Sequence, residues 1–212
     1  MIKAILFDFD GTLINTNELI FSSYREAFNR VLKRDITQEE ILSLYGRPLY
    51  SSLEIYGEAQ DELYKVYREF NEARHDTLAK PFDGVISGVK KIIEKGYLVG
   101  IVTSKRLALV KRGIKILTLC DEFDVIVTPD DTKKPKPDPD PVLCGCEKLG
   151  VLPSEVIYVG DSEFDMASGR SAGTEICAVN YTVTPHERLM EFNPEYFVDS
   201  IDELAEILED IR

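Results

Sequence analysis

Five short runs of uninterrupted apolar residues limit what this chain can fold into: residues 4–7, 98–102, 125–127, 156–159 and 176–179. None alternates polar with apolar, as a strand with one wet face would, so each reads as a strand buried on both faces. Helical spacing fills the stretches between and after them. Val85, Ile86, Val89, Ile92 and Ile93 recur before a stop at Gly96, and Ile201, Leu204, Ala205, Leu208 and Ile211 make a closing amphipathic helix. Continuous strands alternating with helices imply an α/β fold, a parallel sheet covered on both faces. Such sheets bind ligands outside the carboxyl ends of their strands. Asp8, Thr103 and Asp161 each stand at the carboxyl end of one run, and so at one rim.

The alternation is interrupted between Asn15 and Lys80, where nothing reads as a strand. Ile20, Tyr24, Ala27, Phe28 and Val31 recur at helical spacing, and Thr37 with Glu40 reads as a capping box opening a second helix. Gly46-Arg47-Pro48 breaks the run, and a longer helix follows over about residues 60–78, with Leu63, Val66, Tyr67 and Phe70 on one face. The expected organisation is an all-helical insert of residues 15–81, with residues 1–14 and 82–212 forming the sheet.

The residues at the rim carry chemistry. In Asp8-Phe9-Asp10-Gly11-Thr12-Leu13 the two carboxylates leave on one side and Phe9 on the other. Close carboxylates repel, so they need a cation or a proton, while the turn at Gly11 and Thr12 offers main-chain N–H groups to an anion. A calcium loop is disfavoured because Leu13 and Ile14 stand where more oxygen ligands are required. Thr103 can donate to a phosphoryl oxygen, and the N–H groups from Ser104 onward are expected to open a helix. Two lysines, Lys134 and Lys136, precede a proline-rich helix start, and Gly160-Asp161-Ser162-Glu163-Phe164-Asp165 puts a second acid one helical turn after Asp161.

Taken in order, these four segments resemble the motifs of the haloacid dehalogenase superfamily, mostly phosphatases. The resemblance spans essentially the whole chain and implies a Rossmann-like core with a small helical cap inserted after the first strand. It implies Asp8 as nucleophile forming an aspartyl-phosphate and Asp10 as general acid and base. It also implies Mg²⁺ held by Asp8, Asp161 and the Asp10 carbonyl. Thr103, Lys136 and the backbone near Gly11 and Ser104 would bind the phosphoryl group, with Asp165 in support through water or Lys136. The family register favours Lys136 over Lys134. Asn15 departs from the family, many members of which carry Asp there.

The segments Thr16-Asn17-Glu18-Leu19-Ile20 and Tyr67-Arg68-Glu69-Phe70-Asn71, with His75-Asp76, resemble the family's small bacterial pyrophosphatases. The implied function is inorganic pyrophosphatase, with phosphoglycolate phosphatase as the alternative. A β-phosphoglucomutase-like phosphotransferase is a second alternative, though Tyr45-Gly46-Arg47-Pro48-Leu49 departs from that enzyme's cap segment. A catalytically idle regulatory or binding protein is the non-enzyme alternative. Arg47 and His75 are candidates for reaching the substrate from the cap.

A formal net charge of −13 argues against a nucleic-acid partner. No apolar stretch approaches membrane-spanning length, and the four cysteines, Cys120, Cys144, Cys146 and Cys177, show neither zinc nor disulfide-framework spacing. The expectation is a soluble cytoplasmic protein, a monomer or weak homodimer, with Cys146 in the core and a small phosphorylated molecule as substrate.

Overall fold

The computed structural model describes residues 1–210, so Ile211 of the closing helix lies outside the described residues. From the amino end, β1 (Ala4–Phe7) and the two-residue β2 (Ile14–Asn15) lead into α1 (Asn17–Leu32), α2 (Gln38–Leu44), α3 (Leu49–Ser52) and α4 (Gln60–Leu78). The chain leaves these helices through β3 (Lys80–Pro81). Strands and helices then alternate: α5 (Val85–Glu94), β4 (Leu98–Val102), α6 (Leu107–Leu117), β5 (Val125–Val127), α7 (Asp140–Leu149), β6 (Val156–Gly160) and α8 (Glu163–Ala172). β7 (Glu175–Val179), α9 (His186–Met190), β8 (Tyr196–Val198) and α10 (Ile201–Asp210) complete the described chain.

The first apolar run becomes the middle of a six-stranded sheet, ordered β5-β4-β1-β6-β7-β8 and parallel throughout. The runs are continuous because both faces are covered. Alternation along β1 sends Ile5 and Phe7 toward Val89 and Ile92 of α5, Ile114 of α6 and Leu204 of α10. It sends Ala4 and Leu6 toward Val142 and Cys146 of α7 and Ala172 of α8. Each fully buried aliphatic or aromatic side chain there contributes roughly 1.5–3 kcal/mol. Cys146 is buried in this core, as expected.

Strand order reverses at β1, with β4 on one side and β6 on the other, which opens a crevice at their carboxyl ends. Phe7 is in register with Ile101 and with Val159. Asp8, Thr103 and Asp161 therefore leave three adjacent strands at nearly one level.

The helices between β2 and β3 have their own apolar cluster, in which Phe28, Ile41 and Leu63 are fully buried. The capping box forms as expected, Thr37 Oγ1 accepting from Glu40 N and a Glu40 carboxylate oxygen accepting from Thr37 N. Phe70 departs from its expected place. It sits half-buried at the edge of the α4 face, and Asn71 turns inward to donate to Ser23 Oγ at 3.2 Å.

Two strand features depart from expectation. β8, only three residues long and preceded by Pro194, is too short to show a period. β2 and β3 pair antiparallel, Ile14 with Pro81 and Asn15 with Lys80, so the two ends of the insert, where no strand was expected, form a small ribbon. Among the described residues no helix is long and apolar enough to cross a membrane.

Candidate active site

Lys136 is the centre of the buried charge. Its Nζ donates to Asp8 Oδ1 at 2.7 Å and to Asp165 Oδ1 at 2.5 Å, with the Tyr158 hydroxyl at 3.2 Å. Pro139 and Pro141 set the start of α7, so Lys136 approaches from a loop with a fixed backbone. Lys134 lies on the surface beside Asp138. Asp165 is the third residue of α8 and closes a capping box with Ser162. Both its oxygens are engaged, one by Lys136 and Tyr158, the other by Ser162. It holds Lys136 in place through a direct contact.

Asp161 faces Asp8 across the crevice, with its Oδ2 3.1 Å from the Thr182 hydroxyl and 3.4 Å from that of Tyr45. Gly11 is what permits this approach. Its φ is +83°, and a Cβ there would stand 2.3 Å from Asp161 Oδ2. Phe9 points the other way into the core, so Asp8 and Asp10 share the cavity side.

Asp10 is held differently from Asp8. Its Oδ1 accepts from Thr16 Oγ1 and from Lys105 Nζ, both at 2.7 Å. Thr103 is buried, and its Oγ1 accepts from Lys105 N at 3.1 Å. Among the described residues nothing accepts the hydroxyl proton of Thr103, which can therefore go to a ligand. The helix expected to open at Ser104 instead begins at Leu107, after Lys105 and Arg106 have turned the chain. Any anion at Ser104 would meet loop N–H groups, not a helix end.

Electrostatics define what this constellation accepts. Burial pushes the Asp8 carboxyl up to about 7, against the pull of Lys136 and aided by Asp165. Burial, with Asp165 and Asp8 nearby, raises Asp161 well above the ordinary carboxylate range. Burial alone would lower Lys136, but Asp165 and Asp8 outweigh it and keep the ammonium firmly charged. Three buried carboxylates, Asp8, Asp161 and Asp165, thus share one ammonium, with an oxygen of each within 4.8 Å of the others. This all-oxygen cluster, short of positive charge, fits a hard divalent cation. Since Asp165 is fully engaged, Asp8 and Asp161 are the residues that would hold it.

A cavity of about 390 Å³ lies above these groups, between the sheet rim and the inserted helices. Tyr24, Tyr45, Tyr64 and Tyr67 line its wall together with the cations Arg47, Arg68, Lys105 and Arg106. Arg68 and Arg106 both bond Glu72, while the Arg47 guanidinium stacks 5.3 Å over the Phe164 ring. His75 departs from its expected position reaching toward the substrate. The carboxyl end of α4 turns it inward, fully buried and outside the cavity lining, with Nδ1 2.8 Å from Asp76 Oδ1. Burial and the Lys105 charge lower its pKa. Lys105, Tyr45, Tyr158 and Thr182 were not anticipated. Thr182 follows β7 at the same rim, and that rule points to it; nothing marks the other three.

The haloacid dehalogenase-like hydrolase family matches residues 5–179, from β1 through β7. Pyrophosphatase PpaX of Bacillus velezensis is 39% identical over 207 residues, covering 97% of this chain and 96% of its own. Pyrophosphatase PpaX of Bacillus cereus is 37% identical over 212 residues, covering 100% and 98%. A haloacid dehalogenase-like family hydrolase from Streptococcus pneumoniae shares the fold, with a TM-score of 0.85 over 100% of this chain and 99% of that one at 24% identity. The chain belongs to the haloacid dehalogenase-like hydrolase family and is an enzyme of its phosphatase type.

Proposed function

We propose that the protein is a Mg²⁺-dependent inorganic pyrophosphatase working through an aspartyl-phosphate on Asp8. The observation that carries this reading is the unequal treatment of two neighbouring acids. Asp8 is buried against Lys136, which suits a nucleophile. Asp10 has one oxygen tied to Thr16 and Lys105, which leaves the other for proton transfer. Relatives of 37–39% identity named pyrophosphatase and the cations on the cavity wall support pyrophosphate as the substrate. In this reading residues 15–81 act as a cap over a core made by the rest of the chain, and Arg47 meets substrate from the cap.

Asp8 Oδ2, the oxygen not held by Lys136, attacks phosphorus in line. As the phosphorus–oxygen bond to the leaving phosphate breaks, Asp10 gives that oxygen its proton. Asp10 then takes a proton from the water that attacks the acyl phosphate, which releases phosphate and restores Asp8. Lys136 offsets the repulsion between carboxylate and phosphoryl group as they approach. Thr103 and the N–H groups near Gly11 and Ser104 bind phosphoryl oxygens. Mg²⁺, held by Asp8, Asp161 and the Asp10 carbonyl, would neutralise phosphoryl charge.

A phosphate-release panel tests the reading. The value of kcat/KM should be highest on pyrophosphate, ahead of phosphoglycolate and sugar phosphates, and should require Mg²⁺. A higher value on phosphoglycolate would reassign the substrate, and no Mg²⁺-dependent turnover of any phosphate would refute the activity.

A further inference from the structure

We infer that Lys105 is a specificity-determining residue, the cation that receives an anionic leaving group. The inference rests on the reading of Asp10 as the acid that protonates that group. Two lysines meet the site, and they differ in what they have left to give. Each ammonium carries three donors. Those of Lys136 are matched by Asp8, Asp165 and Tyr158, so it supplies charge without a spare hydrogen bond. Lys105 Nζ has Asp10 Oδ1 at 2.7 Å as its hydrogen-bond partner among the described residues. Its side chain is only 8% exposed and lines the cavity, where water competes little for its remaining donors.

Its position is bounded by chemistry. The leaving oxygen must come within ~3 Å of the Asp10 oxygen that gives it a proton. Lys105 Nζ is 2.7 Å from the other oxygen of the same carboxylate. The ammonium and the leaving oxygen therefore lie at most about 8 Å apart, and an outer oxygen of a leaving phosphate or of a glycolate carboxylate, ~2.5–3.5 Å from the leaving oxygen, bonds the ammonium wherever that separation is about 6 Å or less. The other cations of the wall are differently committed. Arg68 and Arg106 share Glu72; Arg47 stacks on Phe164 much as Lys105 stands 5.9 Å over the Phe9 ring, and among the described residues Lys105 is the wall cation bonded to Asp10. The backbone of Lys105 is itself tied to Thr103, so the residue that binds the phosphoryl group also sets where this cation stands.

The test compares kcat/KM for pyrophosphate and phosphoglycolate, whose leaving groups are anionic, with that for glycerol phosphate, whose leaving group departs as a neutral alcohol. Lys105→Met should lower the first two by ~10–100-fold more than the third, the worth of a hydrogen bond to a charged partner. Lys105→Gln keeps a donor for Asp10 without the charge and should show the same loss of selectivity, so either folded variant, checked by thermal melting, suffices. Lys105→Arg should recover part of the ratio. An equal fall on all three substrates in the folded variants would overturn the inference, because Lys105 would then act only through Asp10 or the fold. A wild-type enzyme faster on phosphoglycolate than on pyrophosphate would overturn the pyrophosphatase reading alone. Both substrates stay in the anionic class, and the ratio to glycerol phosphate still decides the role of Lys105.

Discussion

Replacing Lys136 by methionine keeps the length of the side chain and removes the one ammonium in the buried cluster. Its side chain is 4% exposed, so no water stands ready to take over. Asp8 and Asp165 would face each other with Asp161 alongside, all buried. Leaving a buried charge without its partner costs ~3–5 kcal/mol. That figure is an upper bound here, because Asp8 already titrates at about 7 through burial, and without the pull of Lys136 it takes up a proton at neutral pH. The same protonation blunts the nucleophile. Lys136→Met should therefore lower the melting temperature by on the order of 10 °C for a chain of this length and bring phosphate release to background. Lys134→Met, at an exposed pair with Asp138, should leave melting and rate near those of the wild type. Differential scanning calorimetry and a steady-state phosphate assay on the two variants read both quantities. An active Lys136→Met enzyme, or an inactive Lys134→Met enzyme, would show that the cluster's charge balance has been misassigned.

Asp8→Asn should abolish turnover of every phosphate substrate, and covalent phosphate on the variant would contradict the nucleophile assignment. Asp10→Asn should lower kcat by ~10²–10⁴-fold on pyrophosphate; a smaller loss would remove Asp10 from proton transfer. Folding raises the Asp8 pKa from its ordinary 3.8 to about 7, so between those values the folded chain binds more protons than the unfolded one. Stability of the metal-free protein should then be highest at the acid end of that window and fall as pH rises through it. Melting between about pH 5 and 8 should show this fall, smaller in Asp8→Asn, and millimolar Mg²⁺ should stabilise more at pH 8 than at pH 5. An Asp8→Asn slope equal to that of the wild type would exclude Asp8 as its source.

The strands of the sheet could be read because burial on both faces leaves an unbroken apolar run, and the rim followed from where the runs end. β8 and the β2–β3 ribbon carry no such pattern, since three residues or two show no period. The site divided along a similar line. Asp8, Thr103 and Asp161 are marked by position after a strand, and Lys136 by its place before α7. Lys105 is not, because a buried lysine and a solvated one are the same letter until its partner, 95 positions away in Asp10, is brought beside it. Tyr158 was hidden for a different reason. Within β6 it counts as one more apolar residue, yet its hydroxyl joins Lys136 to Asp165. His75 shows the opposite error, a chemically suggestive residue whose helix turns it away from the cavity.

The ribbon formed by β2 and β3 bears on how the chain finds its fold. β1 must pair with β4 across roughly 90 residues, and bringing such distant ends together is entropically unfavourable. Once Ile14 and Asn15 have met Pro81 and Lys80, the helices between them no longer belong to that loop, and the contour left to close shrinks to about 25 residues. On a logarithmic dependence the search for the first parallel pair becomes easier by ~1 kcal/mol, or several-fold in rate. The inserted helices, whose α1–α4 packing spans a shorter stretch of chain than the β1–β4 pair, would act as a tether that shortens the reach of the sheet if they assemble first. A substitution that loosens them, such as Phe28→Ala in their apolar cluster, should slow refolding in stopped-flow measurements more than it speeds unfolding, because the tether would then already be in place when β1 and β4 meet.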